Sequence, residues 1–143
     1  MKIAIASDHA GFCQKPAMVE YLKSLGHEVI DFGPQSADRV DYPDFADKVA
    51  RCVAAGNADR GVLICGTGIG MALTADKVAG VRAAVIQSAA KIHSALRQGH
   101  QRAELFFFHH SCTSHLTGNP SWKGVPESAH PQSQPYRVPL QKP

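Results

Sequence analysis

The sequence predicts an α/β protein in three layers, with helices on both faces of a parallel sheet of four to five strands. Short, almost continuously apolar segments alternate with segments of helical periodicity, and this alternation is typical of βαβ units. The apolar segments lack a regular polar–apolar alternation, as expected for strands that are covered on both faces. One of them runs directly into a glycine loop and the start of a further helix.

The elements follow one another at the spacing of a Rossmann-like fold. Residues 2–7 form the first predicted strand. The helix after it runs to about Leu25 and tolerates Pro16 only in its first turn. The remaining elements are predicted at 27–32 (strand), about 43–55 (helix), 61–65 (strand), about 69–78 (helix), 81–86 (strand), 88–98 (helix) and 105–108 (a candidate fifth strand).

The C-terminal part of the chain has a different composition. Six of the nine prolines lie in residues 120–143, and no period of two or of 3.6 residues is sustained beyond Ser111. Segments rich in proline, serine and glutamine bury too little apolar surface to fold by themselves. We therefore expect one α/β domain over residues 1–110 and an irregular tail over residues 111–143.

Composition and charge argue against several classes of protein. No stretch approaches the roughly 18 apolar residues of a membrane span, and the N-terminal apolar run is too short for a signal peptide, so a cytoplasmic protein is expected. The formal net charge is +3 with scattered basic residues, which argues against nucleic-acid binding. The cysteines have neither a CxxC motif nor metal-ligand spacing and are expected to be free thiols. They are Cys13, Cys52, Cys65 and Cys112.

The most informative stretch is Gly-Val-Leu-Ile-Cys-Gly-Thr-Gly-Ile-Gly at residues 61–70. A buried strand ends at Cys65, and a loop with glycine at alternate positions leads into a helix. Such a loop can direct several backbone N–H groups at one anion, helped by the helix dipole. A phosphate site does not need a thiol, so Cys65 indicates chemistry beside the anion. Asp8 and His9 follow the first strand, and ligands bind at the carboxyl ends of such strands.

Four motifs are specific in combination. They are Ser-Asp-His-Ala-Gly-Phe at 7–12, Asp-Tyr-Pro-Asp at 41–44, Leu-Ile-Cys-Gly-Thr-Gly-Ile-Gly at 63–70 and Lys-Val-Ala-Gly-Val-Arg-Ala at 77–83. Together they closely resemble the type B ribose-5-phosphate isomerase family, which includes the galactose-6-phosphate isomerase subunits. The resemblance extends almost continuously over residues 1–86. A glycine motif by itself would be weak evidence.

The resemblance implies isomerisation of ribose 5-phosphate to ribulose 5-phosphate, a step of the pentose phosphate pathway. The sugar ring opens first, and a proton then moves between C2 and C1 through an enediolate. No metal and no organic cofactor is implied. The implied partners are a small sugar phosphate and a second copy of the chain in a homodimer.

The resemblance also implies roles for individual residues. Cys65 corresponds to the base, and its pKa is expected to be lowered by the glycine loop and the helix N-terminus. The Thr67 hydroxyl and the backbone N–H groups of the loop are expected to stabilise the enediolate oxygen. Asp8 and Tyr42 resemble residues that contact sugar hydroxyls and assist ring opening. The expected substrate-binding residues are His9 (phosphate), Tyr42, Gly66, Gly68, Ile69 and Gly70.

Taken singly, Cys65 would more often be a buried strand-end thiol and His9 a solvated loop histidine, and Asp8 and Tyr42 also have simpler interpretations. Asp8 would serve as the N-cap of the first helix, a role that can coexist with substrate contact. Tyr42 would be a loop residue that packs on the edge of the sheet.

Beyond residue 87 the family pattern is not recognisable. A His-Asn pair that ends the next helix in the family would fall at Gln98-Gly99 without gaps, and the phosphate-binding arginines of its C-terminal region have no counterpart. A second hypothesis is therefore a catalytically impaired sugar-phosphate-binding protein, or a frame-shifted or truncated isomerase without activity. A receiver-like or flavin-binding module is disfavoured, because residues 8–11 provide neither an acidic pocket nor a flavin phosphate loop.

Overall fold

The computed structural model describes residues 1–86 and the strand at 104–109. Its elements in chain order are β1 (Lys2–Ser7), a 3₁₀ turn (Phe12–Gln14), α1 (Lys15–Ser24), β2 (Glu28–Asp31), α2 (Tyr42–Ala54), β3 (Arg60–Cys65), α3 (Ile69–Ala75), β4 (Arg82–Ile86) and β5 (Glu104–His109). Strands and helices alternate as the periodicity predicts. The helix predicted at 88–98 and the tail predicted at 111–143 lie outside the described residues.

All strand pairs in the described sheet are parallel, and the order is β2-β1-β3-β5-β4. The predicted α/β fold class is thereby confirmed. The candidate fifth strand is present, and it lies inside the sheet between β3 and β4. Ser7 of β1 pairs with Ile64 of β3, so these two strands end together at the carboxyl edge.

The first predicted helix is divided at its start. The Gly11 carbonyl accepts hydrogen bonds from the N–H groups of Gln14 (3.1 Å) and Lys15 (3.3 Å). Pro16 has no N–H group to continue this series, so a separate 3₁₀ turn precedes α1, and Pro16 lies in the first turn of α1 as expected. The third helix ends at Ala75, three residues before the predicted 78.

The sheet has a hydrophobic core on each face. Successive side chains of a strand point to opposite faces, and β3 shows this in its packing. Leu63 and Cys65 belong to the core under α2 and α3, whereas Ile64 belongs to the core under α1. The period of the strand therefore places the thiol on the side of the sheet where α2 and α3 pack.

A buried lysine holds the loop that follows β2. The Lys15 Nζ donates to Asp31 Oδ1 at 2.7 Å and to the Pro34 carbonyl at 2.9 Å. Asp31 Oδ1 also accepts the N–H of Gly33 at 2.8 Å, and the Gly33 carbonyl accepts the N–H of Ser7 at 3.0 Å. A charge that is only 4% exposed is tolerated because it is paired in this way. These contacts tie α1 to the carboxyl edge of β1 and β2.

The expectation of free thiols is confirmed for two cysteines and wrong for a third. Cys52 and Cys65 are free. Cys13 is disulfide-bonded. Cys112 lies outside the described residues.

Candidate functional site

Cys65 ends β3 at the carboxyl edge of the sheet, and its side chain is 4% exposed. The Sγ atom accepts a hydrogen bond from the N–H of Gly68 at 2.9 Å. The chain can turn back on the sulfur because Gly68 has a φ of 76°, a conformation that L side chains rarely adopt. The backbone groups of Thr67 and Met71 also act on the sulfur and lower the pKa of Cys65. The glycine loop therefore surrounds the thiol with backbone donors.

The pKa of the Cys65 thiol is shifted in the opposite direction from the one that the sequence predicts. Burial raises the pKa of Cys65 above its ordinary value, and the charge of Asp8 raises the pKa further. The backbone groups of Thr67, Gly68 and Met71 each lower the pKa by less than burial raises it, and the net shift of the pKa is upward. The predicted lowering of this pKa is therefore wrong for the structure. Desolvation of the thiolate, together with the charge of Asp8, outweighs the field of the loop.

Asp8 lies in the loop after β1, next to the end of β3. Its N–H donates to the Ile64 carbonyl at 3.1 Å, and its Oδ1 accepts the N–H of Gly11 at 2.8 Å. The Asp8 carboxylate thus accepts a backbone N–H directly before the 3₁₀ turn. This contact resembles the N-cap role that is the simpler interpretation of Asp8. Asp8 is nevertheless close enough for its charge to act on Cys65. The structure therefore brings together two of the predicted catalytic residues.

Gly11 allows the loops after β1 and β3 to approach each other. A Cβ atom at this position would lie 2.7 Å from the carbonyl carbon of Ile64, closer than packed atoms can be. On the other side of the contact, a Cβ atom at Gly66 would lie 3.4 Å from the Cβ of Ala10, an ordinary packing distance. Gly11 is not among the predicted site residues. The need for a glycine there arises from its contact with β3, which lies about 50 residues away in the chain.

Tyr42 is the first residue of α2 rather than a loop residue at the edge of the sheet. Its ring packs against Gly70 in the first turn of α3, and the side chain is 42% exposed. The motif at 41–44 therefore reaches the glycine loop, as the site prediction requires.

Three further predicted site residues are exposed. Thr67 is exposed, and its Oγ1 accepts the N–H of Ile69 at 3.4 Å. Ile69 is 60% exposed. His9 is exposed beside Asp8. The structure thus places Thr67, Ile69 and His9 at the surface, whereas Asp8 and Cys65 are buried.

Two further findings concern the described part of the chain. Within residues 1–86 and 104–109, no group of three or more His, Cys, Asp or Glu side chains is arranged to hold a metal ion. In the same residues, every helix is too short or too polar to cross a membrane.

Replacing Asp8 with asparagine is expected to lower the pKa of the Cys65 thiol. The amide oxygen can still accept the N–H of Gly11, while the negative charge that raises the pKa is removed. Alkylation of Cys65 by iodoacetamide should therefore be faster at a given pH than in the parent. Mass spectrometry of the Cys65 peptide over a pH series measures this rate, and alkylation of Cys52 serves as the internal control. If the pH dependence of Cys65 alkylation is the same in the variant as in the parent, the expectation is contradicted.

The described chain is a three-layer α/β protein with a thiol at the carboxyl edge of its parallel sheet. A sequence model of the family described as Ribose/Galactose Isomerase matches residues 3–112, and the chain belongs to this family.

The curated relatives have consistent names. Ribose-5-phosphate isomerase B of Escherichia coli is 51% identical over 84 residues, which cover 59% of this chain and 56% of that protein. The putative sugar phosphate isomerase YwlF of Bacillus subtilis is 50% identical over 86 residues, which cover 59% of this chain and 58% of that protein. The chain thus spans somewhat more than half the length of these relatives.

Solved structures of related proteins have the same fold. A ribose 5-phosphate isomerase from Thermotoga maritima superposes with a TM-score of 0.65 at 42% identity, over 75% of this chain and 72% of that chain. Ribose-5-phosphate isomerase B from Mycoplasma genitalium, described with bound ribulose-5-phosphate, superposes with a TM-score of 0.63 at 38% identity, over 76% of this chain and 71% of that chain.

Proposed function

We propose that this protein isomerises ribose 5-phosphate to ribulose 5-phosphate, with Cys65 as the base. The observation that carries the proposal is a buried thiol surrounded by backbone N–H groups at the carboxyl edge of a parallel sheet. The family membership and the names of the relatives support the same reaction.

The proposed chemistry needs no external oxidant or reductant. After ring opening, the Cys65 thiolate takes the proton from C2, and the electron pair of that C–H bond forms the C1=C2 double bond while the C1 carbonyl oxygen becomes the enediolate oxygen. The thiol then returns a proton to C1, and the proton of the C2 hydroxyl passes to the C1 oxygen, which leaves a hydroxyl at C1 and the carbonyl at C2. Oxidation at C2 is balanced by reduction at C1.

The raised pKa of Cys65 is useful for this step. A proton bound to carbon is only weakly acidic. A base whose conjugate acid has a higher pKa removes such a proton more readily, once the base itself is deprotonated. The backbone donors around the sulfur hold the thiolate in place when it forms. We therefore propose that the Cys65 thiolate is a strong base. The same raised pKa lowers the fraction of Cys65 that is deprotonated at neutral pH.

The remaining roles are proposed from position and chemistry. Asp8 and Tyr42 contact sugar hydroxyls and assist ring opening, and the exposed Thr67 hydroxyl stabilises the enediolate oxygen. The exposed imidazole of His9 binds the phosphate. The other proposed substrate-binding residues are Gly66, Gly68 and Ile69.

The proposal includes a homodimer, a cytoplasmic location and a place in the pentose phosphate pathway. The dimer has support on α3, where Ile69 and Leu73 are four residues apart and 60% and 62% exposed. Apolar side chains at this spacing share one face of a helix, and a second copy of the chain would cover that face. We also propose the domain at residues 1–110 and the irregular tail at 111–143.

The reaction is tested by incubating the full chain with ribose 5-phosphate in D₂O and recording NMR spectra. We expect ribulose 5-phosphate that carries deuterium at C1, because the abstracted proton exchanges with solvent before it is returned. If ribulose 5-phosphate forms without deuterium at C1, the hydrogen has moved without exchanging with the solvent. That result would argue against an enediolate whose proton is held by an exchanging base. No turnover, with sugar-phosphate binding still measurable, would favour the catalytically impaired binding protein.

A further inference from the structure

The backbone conformation at position 70 does not require a glycine. Gly70 lies in the first turn of α3 and is not among the glycines with positive φ, whereas Gly68 is. At a helical position, alanine is favoured over glycine by about 1 kcal/mol. The reason for a glycine at position 70 must therefore lie in what surrounds it.

The space beside Gly70 is filled by the ring of Tyr42. A Cβ atom at position 70 would lie 2.8 Å from the Cε2 and the Cζ of Tyr42 and 3.0 Å from its Oη. These distances are shorter than packed atoms allow, so a side chain at position 70 and the present ring position exclude each other. The Tyr42 side chain is 42% exposed and lies at the start of α2, so its ring can move into water without disturbing the core.

The contact lies close to the thiol in the structure. The backbone of Met71, the residue after Gly70, lowers the pKa of the Cys65 thiol, and the Met71 side chain is fully buried in the core under α2 and α3. The ring of Tyr42 thus lies against the first turn of α3, which directly follows the loop that hydrogen-bonds the sulfur.

We propose that Gly70 is a positioning residue: its missing side chain leaves the space in which the Tyr42 ring lies beside the Cys65 loop. This inference rests on the proposed function, because it explains how Tyr42 is placed to contact the sugar. It also revises the role of Gly70, which acts through Tyr42 and not through a substrate contact of its own.

The position of the ring is tested by NMR on the full chain with ¹³C-labelled tyrosine. The Tyr42 signals are assigned by their loss in Tyr42→Phe. In the parent we expect nuclear Overhauser contacts between the ring protons of Tyr42 and the α protons of Gly70. In Gly70→Ala, we expect Tyr42 signals shifted to those of a solvent-exposed ring, while the other tyrosine signals and the unfolding midpoint stay close to those of the parent. Unmoved Tyr42 signals would overturn the proposal.

The consequence for the reaction is tested by a double-mutant cycle. Gly70→Ala is expected to lower kcat/KM for ribose 5-phosphate by about 10- to 100-fold, because a misplaced contact group loses its catalytic geometry. In a Tyr42→Ala background, the same Gly70→Ala change should have an effect of less than about twofold, because no ring is left to displace. Equal losses in both backgrounds would show that Gly70 acts through its own contacts and would overturn the proposal.

The two parts of the experiment separate this proposal from the proposed function. If the parent does not turn over ribose 5-phosphate, the proposed reaction fails, and the NMR comparison still decides whether Gly70 holds the Tyr42 ring. If the parent is active and the ring moves without any change in kcat/KM, the positioning role fails while the isomerase function stands.

Discussion

Replacing Cys65 with alanine is expected to lower kcat/KM for ribose 5-phosphate by about 10²- to 10⁴-fold, the range attributed to a positioned general base. The sulfur lies 2.9 Å from the nitrogen of Gly68, and the backbone N–H groups of the loop are donors that cannot accept a proton in its place. The backbone of the loop remains, so binding of the sugar phosphate should change less than turnover. Steady-state kinetics and a separate binding titration measure the two effects.

Cys52→Ala is the matched control for this experiment. Cys52 is also free and half-buried, but it lies in α2 and packs against the core. Burial raises the pKa of its thiol as well, so the control removes a second thiol of similar character. We expect nearly parental kcat/KM in Cys52→Ala. Comparable losses in both variants, or substantial turnover in Cys65→Ala, would remove Cys65 from the role of base.

Replacing Gly11 with alanine is expected to lower the free energy of unfolding by about 3 kcal/mol or more. The new methyl group would stand 2.7 Å from the carbonyl carbon of Ile64, which belongs to an inner strand of the sheet. A backbone atom there cannot move without breaking the pairing of β3, and the hydrogen bond from the Asp8 N–H to the Ile64 carbonyl would also be displaced. Urea unfolding followed by circular dichroism measures this loss.

Gly66→Ala provides the comparison for Gly11→Ala. Within the part of the chain that the structure describes, its Cβ atom would meet only the Cβ of Ala10, at 3.4 Å, so the same chemical change is made beside the same pair of loops with ordinary packing. We expect its free energy of unfolding to stay within about 1 kcal/mol of the parent. Similar stabilities for both alanine variants would mean that the approach of Gly11 to β3 is not what requires glycine.

Much of the fold could be predicted from local patterns. The strands ending at Ser7 and Cys65 are apolar runs bounded by polar or glycine residues, and the structure confirms them. The start of α1 was predicted less well, because the division into a 3₁₀ turn and a helix depends on the N–H group that Pro16 lacks. β5 was predicted from a short phenylalanine-rich run, but its place between β3 and β4 follows from the packing of the whole sheet.

The candidate site could be predicted in its composition but not in its energetics. The glycine spacing after Cys65 indicated a loop of backbone donors, and the structure has these donors, directed at the sulfur. The direction of the Cys65 pKa was predicted wrongly, because the cost of burying a thiolate depends on all the elements that pack around it. Lys15 was not recognised as the residue that holds the loop after β2, since a lysine in a helix is usually solvated.

The sequence by itself determined the order of strands and helices and the location of Asp8 and Cys65 at strand ends, because periodicity and turn chemistry act between near neighbours in the chain. Only the tertiary structure decided that burial raises the pKa of Cys65 and that the Tyr42 ring occupies the space beside Gly70. Both depend on contacts between segments that are far apart in the chain. A local pattern contains no information about how closely such segments approach.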